Sequence, residues 1–457
     1  MTHVILGHCC KDASCVRVCP QNCIHPTPGE PGFEAAETLH IDPRSCIDCT
    51  ACVDACPASA IKPEHLLTLT ETPSRQRNRD YYQRTAVAPP VTHPARFGNP
   101  LGTSHSRFRI AVVGSGPAAL YTVRELLQRS SSVRVTVFEK DDRIGGLLRR
   151  GVAADQQGVR EMIRLFELPF GDDRVEIVCG TEIGVDVSIA ELRMRYDAVV
   201  LACGASQPRA IGLTGDMMRT GGVHQALDIL TGSPADANAP TVSGPRCVIV
   251  GAGNVALDVV RRLAQRSLRP PATRPVREVT VLSRSGPDRV AFTLSAFHEL
   301  LHLETVELVV DSTGAQPNAG SGGELGRGLS ALPAADPTDV DRLRVVLSFG
   351  RAVTDIRSFG PQQLSVITDS GRSFPADSVI CAAGFSTAQI RGIPLDANGI
   401  VPNHRGRIVS PATGEPLDRL YVVGWAKRGA TGGVGDNRTC AAETVAELAA
   451  DLTAATV

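Results

Sequence analysis

The chain has 457 residues, enough for roughly three domains, with 47 Lys plus Arg against 48 Asp plus Glu and a net charge of −1. That balance gives no electrostatic case for nucleic acid or a membrane surface as the main partner, and no run approaches the roughly eighteen apolar residues of a membrane span. Apolar residues make up 42%, yet 43 glycines accompany only 4% aromatics, which suggests α/β architecture with backbone packed close to bound molecules.

Nine of the 14 cysteines lie before residue 57. No apolar leader precedes them, so the chain is expected to be soluble and cytoplasmic, where clustered cysteines bind metal or do redox chemistry. Cys46, Cys49, Cys52 and Cys56, followed by Pro57, form the run C-x2-C-x2-C-x3-C-P. Three thiolates so spaced wrap one iron–sulfur cube while the fourth reaches a second cluster. A zinc ribbon instead takes two separated C-x2-C knuckles. Upstream, Cys9, Cys15, Cys19 and Pro20 keep the same register, but Asp12 occupies the position of the missing cysteine. Cys10 and Cys23 are left over, Cys23 expected to pack beside a cluster. So small a segment buries little core, and its clusters should hold it together. Residues 63–107, polar and dotted with proline, read as a connector.

At FRIAVVGSGPAALYTVRELLQ the pattern changes to a buried strand, a glycine turn and an amphipathic helix. Gly114, Gly116 and Ala119 stand in G-x-G-x-x-A register, and the next strand ends at Glu139, a carboxylate suited to a ribose diol and hostile to a 2′-phosphate. That site suits FAD or NAD. RCVIVGAGNVALDVVRRLA repeats the device with Gly251, Gly253 and Ala256, but its following strand ends at Ser283, Arg284 and Ser285. An arginine there offers charge-assisted hydrogen bonds to a 2′-phosphate. Two sites of opposite preference imply electron traffic between FAD at the first and NADPH at the second. Residues 232–245 read as a loop, and 312–341 as a flexible insertion rich in Gly, Ala and Pro.

Residues 1–62 resemble two-cluster bacterial ferredoxins. The resemblance implies that Cys46, Cys49, Cys52 and Cys19 hold one cluster, and that Cys9, Cys15 and Cys56 hold the other, with Asp12 where a fourth thiolate is missing. Three thiolates suit a 3Fe-4S cluster beside the 4Fe-4S cluster; the alternative is a second 4Fe-4S cluster ligated by Asp12. GGLLRRGVAADQQGVR (145–160), GAGNVALDVVRRLA (251–264) and GWAKRGATGGVGDNRTCAAETV (424–445) resemble ferredoxin–NADP reductases of the adrenodoxin reductase type. The whole chain resembles the actinobacterial form, in which a ferredoxin is fused to that reductase.

The resemblance implies a small α+β ferredoxin domain (1–62), a linker (63–107), an FAD domain split between 108–206 and 385–457, and an NADP domain at 207–384, both dinucleotide domains α/β and Rossmann-like. FAD contacts carry over to Gly114, Gly116, Ala119, Glu139, Leu147, Trp425, Gly432, Gly433 and Val434. NADPH contacts carry over to Gly251, Gly253, Asn254, Val255, Ala256 and Arg284, with Glu299 beside the nicotinamide and Trp425 beside the flavin. The family's second 2′-phosphate arginine is Ser285 here, an acidic residue of the NADP site is Ala296, a histidine near the flavin is Gln156, and a proline of the closing motif is Ala430. The implied activity is hydride transfer from NADPH to FAD and single-electron delivery to clusters. The implied acceptor is a separate ferredoxin or a downstream partner such as a monooxygenase. Three readings compete. A thiol–disulfide reductase lacks the C-x2-C pair that it needs among Cys179, Cys203, Cys247, Cys381 and Cys440. An electron-input subunit of glutamate synthase type requires a tightly bound partner. A passive cluster carrier leaves two dinucleotide sites unexplained.

Overall fold

The computed structural model describes residues 2–19, 21–84, 108–150, 169–209, 221–231, 242–267, 276–301, 303–318, 323–334, 342–360, 363–432 and 434–454. The chain divides into two compact units. The first contains the described residues up to Arg149, those from 169 to Gln207, and those from Phe385 onward; the second contains the described residues from Pro208 to Gly384.

Within the first unit, the N-terminal head is built from two copies of one pattern. Strand His3–Ile5 pairs antiparallel with Ile61–Pro63, and Ile24–His25 with His40–Ile41. Each cysteine run then leads into a short helix, Ser14–Val18 or Ala51–Ala55. Offset by a constant interval, Lys11, Ala13 and Asn22 in one half and Asp48, Thr50 and Ser59 in the other all take positive φ, between 45° and 61°. Non-glycine residues adopt that conformation at a cost of about 1–2 kcal/mol each, so the shared strain marks a loop shape imposed twice. Ile5, Ile24, Leu39 and Ile41 fill the space between the halves together with the cysteines.

The expected connector begins later than 63. Helix Thr72–Arg84 folds against the head, and only 85–107 lies outside the described residues. Its sequence, TPSRQRNRDYYQR, has no apolar stripe, which is why periodicity missed it. Two buried polar side chains attach it instead. Asn78 Oδ1 accepts from the N–H of Ile5 (3.3 Å) and Ile41 (2.8 Å), and its Nδ2 donates to the Ile5 carbonyl (2.9 Å). Tyr82 accepts from the His25 N–H (3.1 Å) and donates to the Cys23 and His40 carbonyls. Edge groups of the short strands are thereby satisfied without a wider sheet.

The rest of this unit is a seven-stranded sheet. Strands Pro416–Val422, Ala198–Leu201, Arg109–Val113, Arg134–Phe138 and Val175–Val178 run parallel in that spatial order. Arg407–Val409 and Asn403–His404 extend it antiparallel. Arg109–Val113 has its successor on one side and a much later strand on the other, a reversal of strand order at whose carboxyl end ligands bind.

The second unit repeats this plan. Val223–Gln225, Ser378–Cys381, Arg246–Val250, Glu278–Ser283, Leu343–Phe349 and Val306–Val310 form a parallel sheet in that order, flanked by a three-stranded antiparallel sheet over 353–376. The stretch 312–341, expected as a flexible insertion, contains helix Gly323–Ser330. Leu329 is fully buried there, and a methyl on Gly328 would fall 2.8 Å from the Phe297 ring. Leu325, Leu329 and Gly328 make one packed face that composition concealed. No helix among the described residues is long and apolar enough to cross a membrane.

Candidate functional site

In the head, Cys19, Cys46, Cys49 and Cys52 line one cavity with Cys23, Ile24, Ile41, Ile47 and His3. These four are the cysteines that the ferredoxin resemblance assigns to one cluster. Peptide N–H groups point at cysteine sulfurs throughout the head: Lys11 to Cys9 (3.4 Å), Cys23 to Cys19 (3.4 Å) and Ala60 to Cys56 (3.3 Å). Cys23 Sγ lies 3.3 Å from Cys19 Sγ; its hydrogen bond holds the Cys19 thiol down at about 6. Burial pushes Cys52 up to about 12 and Cys56 to about 11. His3 is 2% exposed, and its Nε2 has no hydrogen-bond partner among the described residues. An all-sulfur donor set in an apolar wall, with amides aimed at the sulfurs, fits an iron–sulfur cluster. Ligation there displaces the proton that burial keeps on Cys52.

Of the second expected set, Cys9 and Cys56 lie near enough to Cys15 to raise its thiol, and Cys9 near enough to Cys56 to raise its. Cys15 is buried, its thiol raised by burial and then by Cys9, Cys56 and Asp12 nearby. Cys10, outside the ferredoxin register, lies near Cys9, Asp12 and Cys56 too, and burial raises it most. Asp12 is 2% exposed: Oδ1 accepts from the Ser14 N–H (2.9 Å), and Oδ2 accepts from the Tyr121 hydroxyl.

At the first glycine turn, the two glycines have different causes. Gly114 has φ +99°, and a methyl there would fall 2.6 Å from the Ala202 carbonyl oxygen, on the adjacent strand's end. Gly116 has nothing within 4 Å of where its methyl would be. The protein itself therefore requires the first glycine, while the second keeps open a space that no described residue fills. That is the cradle a pyrophosphate needs. Ala119 is fully buried on the helix Pro117–Arg129 that follows. Glu139 is 5% exposed; Oε2 accepts from the Ser115 N–H (3.0 Å) and hydroxyl, and Oε1 from the Asp141 N–H (3.0 Å). One Oε1 lone pair remains for a diol. Gly145 donates to the Ser115 hydroxyl (3.1 Å), which seats the Gly145–Gly146–Leu147 loop on the turn.

The closing motif reaches the same place from 310 residues away in sequence. Gly424 has φ +69°, and a methyl on it would lie 2.5 Å from Ala118 Cβ. The half-buried Trp425 opens the short helix Trp425–Arg428. Asn437 Oδ1 accepts from Arg428 (3.2 Å), and Cys440 Sγ accepts from the Gly424 N–H (3.2 Å). Gly432 has φ +79° and Val434 is half-buried; Gly433 and Gln156 lie outside the described residues.

In the second unit, Gly251 has φ +108°, and its methyl would fall 2.3 Å from the Ala382 carbonyl oxygen, while Gly253 has open space. The same division of labour recurs. Ala256 is fully buried and Val255 half-buried. Asn254 Oδ1 accepts from the Thr293 N–H (2.7 Å), and Gly253 bridges to Ala291, so the segment 291–301 folds across this turn. Glu299 is ion-paired with Arg261 of the helix that starts at Asn254. Arg284 is exposed and has no ion-pair partner among the described residues. Arg351 does not replace the missing second arginine, because its guanidinium donates to Thr313 and lies 3.7 Å from Asp311, with 9% exposure.

Known proteins combine these parts. The 4Fe-4S dicluster domain model matches residues 8–60, the pyridine nucleotide-disulphide oxidoreductase model 108–287 and the flavin-containing amine oxidoreductase model 284–408. A probable ferredoxin/ferredoxin–NADP reductase of Mycobacterium bovis is 37% identical over 99% of this chain and 84% of its own length. The chain belongs to the ferredoxin/ferredoxin–NADP reductase family. Within that wider group, the NADPH-ferredoxin reductase FprA of Mycobacterium leprae is 31% identical over 77% of this chain and 85% of its own. The structure of Mycobacterium tuberculosis FprA in complex with NADPH superposes with a TM-score of 0.63 at 29% identity, covering 77% of this chain and 86% of that one. As in the family, the head and reductase occur in one chain. Cys179, Cys203, Cys247, Cys381 and Cys440 are free cysteines.

Sequence reasoning missed Asn78, Tyr82 and Tyr121. Each acts through a buried polar group on an otherwise ordinary helix, where no spacing rule applies.

Proposed function

We propose that this chain is an NADPH:ferredoxin oxidoreductase that binds FAD in the first unit, NADPH in the second, and two iron–sulfur clusters in its head. The observation that carries the reading is the pair of glycine turns whose second glycine, Gly116 or Gly253, is required by no contact among the described residues, together with a cysteine-lined head in the first unit. When bound, the flavin exchanges a hydride's two electrons for single electrons, and the clusters carry those one at a time.

The chain's residues bind and orient. Gly116 and Gly253 let backbone N–H groups approach a pyrophosphate, and Ala119 and Ala256 let each following helix pack close to its sheet. Glu139 takes the flavin-side ribose diol, and Leu147, Trp425, Gly432, Gly433 and Val434 form the flavin's surroundings. Asn254 and Val255 orient the nicotinamide nucleotide, Arg284 holds its 2′-phosphate as the single selective charge, and Glu299, tethered by Arg261, borders the nicotinamide. Hydride transfer needs no general base, so a glutamine at 156 is compatible with the activity.

Cys19, Cys46, Cys49 and Cys52 hold a 4Fe-4S cluster. Cys9, Cys15 and Cys56 hold a 3Fe-4S cluster, a reading supported by the missing fourth thiolate in that register, where Asp12 stands. NADPH is the donor, and a separate ferredoxin or a monooxygenase system in the cytoplasm is the acceptor. Anaerobic electron paramagnetic resonance on the purified holoprotein tests the whole: a three-iron signal at rest should disappear on adding NADPH. Clusters that remain oxidised while NADPH bleaches the flavin would remove the head from the circuit.

A further inference from the structure

The constant offset between the two halves of the head puts Asp12 in register with Cys49, since the positive-φ residues Lys11 and Ala13 flank one as Asp48 and Thr50 flank the other. The two positions meet different surroundings. Cys49 is exposed, whereas Asp12 is 2% exposed. What covers Asp12 is the reductase part of the same unit. The hydroxyl of Tyr121, itself 1% exposed and on the helix that follows the first glycine turn, donates to Asp12 Oδ2. Arg438 donates to the Asp12 carbonyl. The backbone also comes close at Gly435: a methyl there would fall 2.0 Å from the Cys10 carbonyl oxygen and 2.8 Å from the Asp12 nitrogen. Gly435 is one residue from Val434 of the closing turn.

We propose that Asp12 is a clasp and not a cluster ligand: its carboxylate, gripped by Tyr121 while Arg438 grips its carbonyl, seats the three-cysteine half of the head on the reductase and leaves the Cys49 half open to an external acceptor. A cysteine at position 12 offers no carboxylate to Tyr121. The loss of a fourth thiolate and the gain of a docking contact are then one substitution. A buried carboxylate with one oxygen on a peptide N–H and the other on a hydroxyl is a strong, directional contact, and separating it leaves a buried charge unpaired. Tyr121 and Arg438 are positioning residues, acting on the head through Asp12.

Hydrogen exchange of the full-length holoprotein tests this, with Tyr121→Phe and Asp12→Asn compared with the parent. Tyr121→Phe removes one oxygen and should raise exchange roughly tenfold or more at residues 10–14 and 434–438. Iron content, the resting paramagnetic signal and the rate at which NADPH bleaches the flavin should stay as in the parent. Those three readouts report on the function proposed above, and exchange reports on the clasp. Exchange within twofold of the parent at both segments overturns the clasp. So does iron loss or an altered signal in Asp12→Asn that Tyr121→Phe does not share, because Asp12 would then be a ligand. If Tyr121→Phe does not accumulate as folded protein, Arg438→Met removes the other grip and is read in the same way.

Discussion

Replacing one glycine of the second turn should damage the fold, and replacing its neighbour two residues on should damage only binding. Gly251→Ala places a methyl 2.3 Å from the Ala382 carbonyl oxygen and 2.7 Å from its carbon, at φ +108°. The backbone term costs about 1–2 kcal/mol and the overpacking about 1–3 kcal/mol, so the variant should lose about 2–5 kcal/mol of stability. Gly253→Ala meets nothing within 4 Å, so its thermal midpoint should stay close to the parent's. Its methyl instead stands where a pyrophosphate approaches, and displacing one charge-assisted hydrogen bond costs about 1.5–3 kcal/mol, or roughly 10–100-fold in affinity. Calorimetric titration with NADP+ and thermal unfolding of both variants separate the two effects. If Gly253→Ala lost as much stability as Gly251→Ala, or bound NADP+ within twofold of the parent, the assignment of the open cradle to a ligand would be wrong.

Arg284→Ala should raise the KM for NADPH about 10–100-fold and leave that for NADH nearly unchanged, because only NADPH carries the 2′-phosphate that Arg284 is placed to meet; steady-state kinetics with both nucleotides checks it. Asn78→Ala strands buried strand groups at Ile5 and Ile41, a loss of roughly 2–5 kcal/mol, and should speed iron release to a chelator, followed by the decay of visible absorbance. Asp451 receives two 2.7 Å bonds from Arg407 and one of 2.8 Å from Tyr421. Burial opposes its ionisation, but these bonds outweigh it and hold the carboxyl below its usual value. A depressed carboxylate stabilises the fold above its unfolded value of about 3.9, and that contribution is lost as pH falls through the lower folded value. Being partly exposed, the group should contribute about 1 kcal/mol. Thermal midpoints of the parent and Asp451→Asn should therefore differ at pH 6 and converge towards pH 3.

Much of the site was legible in the residues because its chemistry is local. A cysteine run needs its spacing to wrap a cluster, and a dinucleotide turn needs glycine where the chain turns tightly or a phosphate comes close, so Cys46–Cys56, Gly114, Gly116, Gly251 and Gly253 announce themselves within ten residues or so. The charge that closes each following strand, Glu139 or Arg284, is equally local. The helix Thr72–Arg84 was not legible, because it is bound through Asn78 and Tyr82 and carries no apolar period. The helix within 312–341 was hidden by composition: a glycine-rich stretch reads as loose until Phe297 is seen packed on Gly328.

Asp12 shows where sequence alone stops. The residues determine that a thiolate is missing from one run, and leave open whether the carboxylate in its place holds iron. Only the tertiary structure decides where that carboxylate points, because Tyr121 lies 109 residues away and Arg438 lies 426 away, and contacts at such separations leave no trace in spacing. The physical reason is range: covalent connectivity dictates backbone shape over a few residues, while the partner of a buried charge is chosen by which elements the whole fold packs against it.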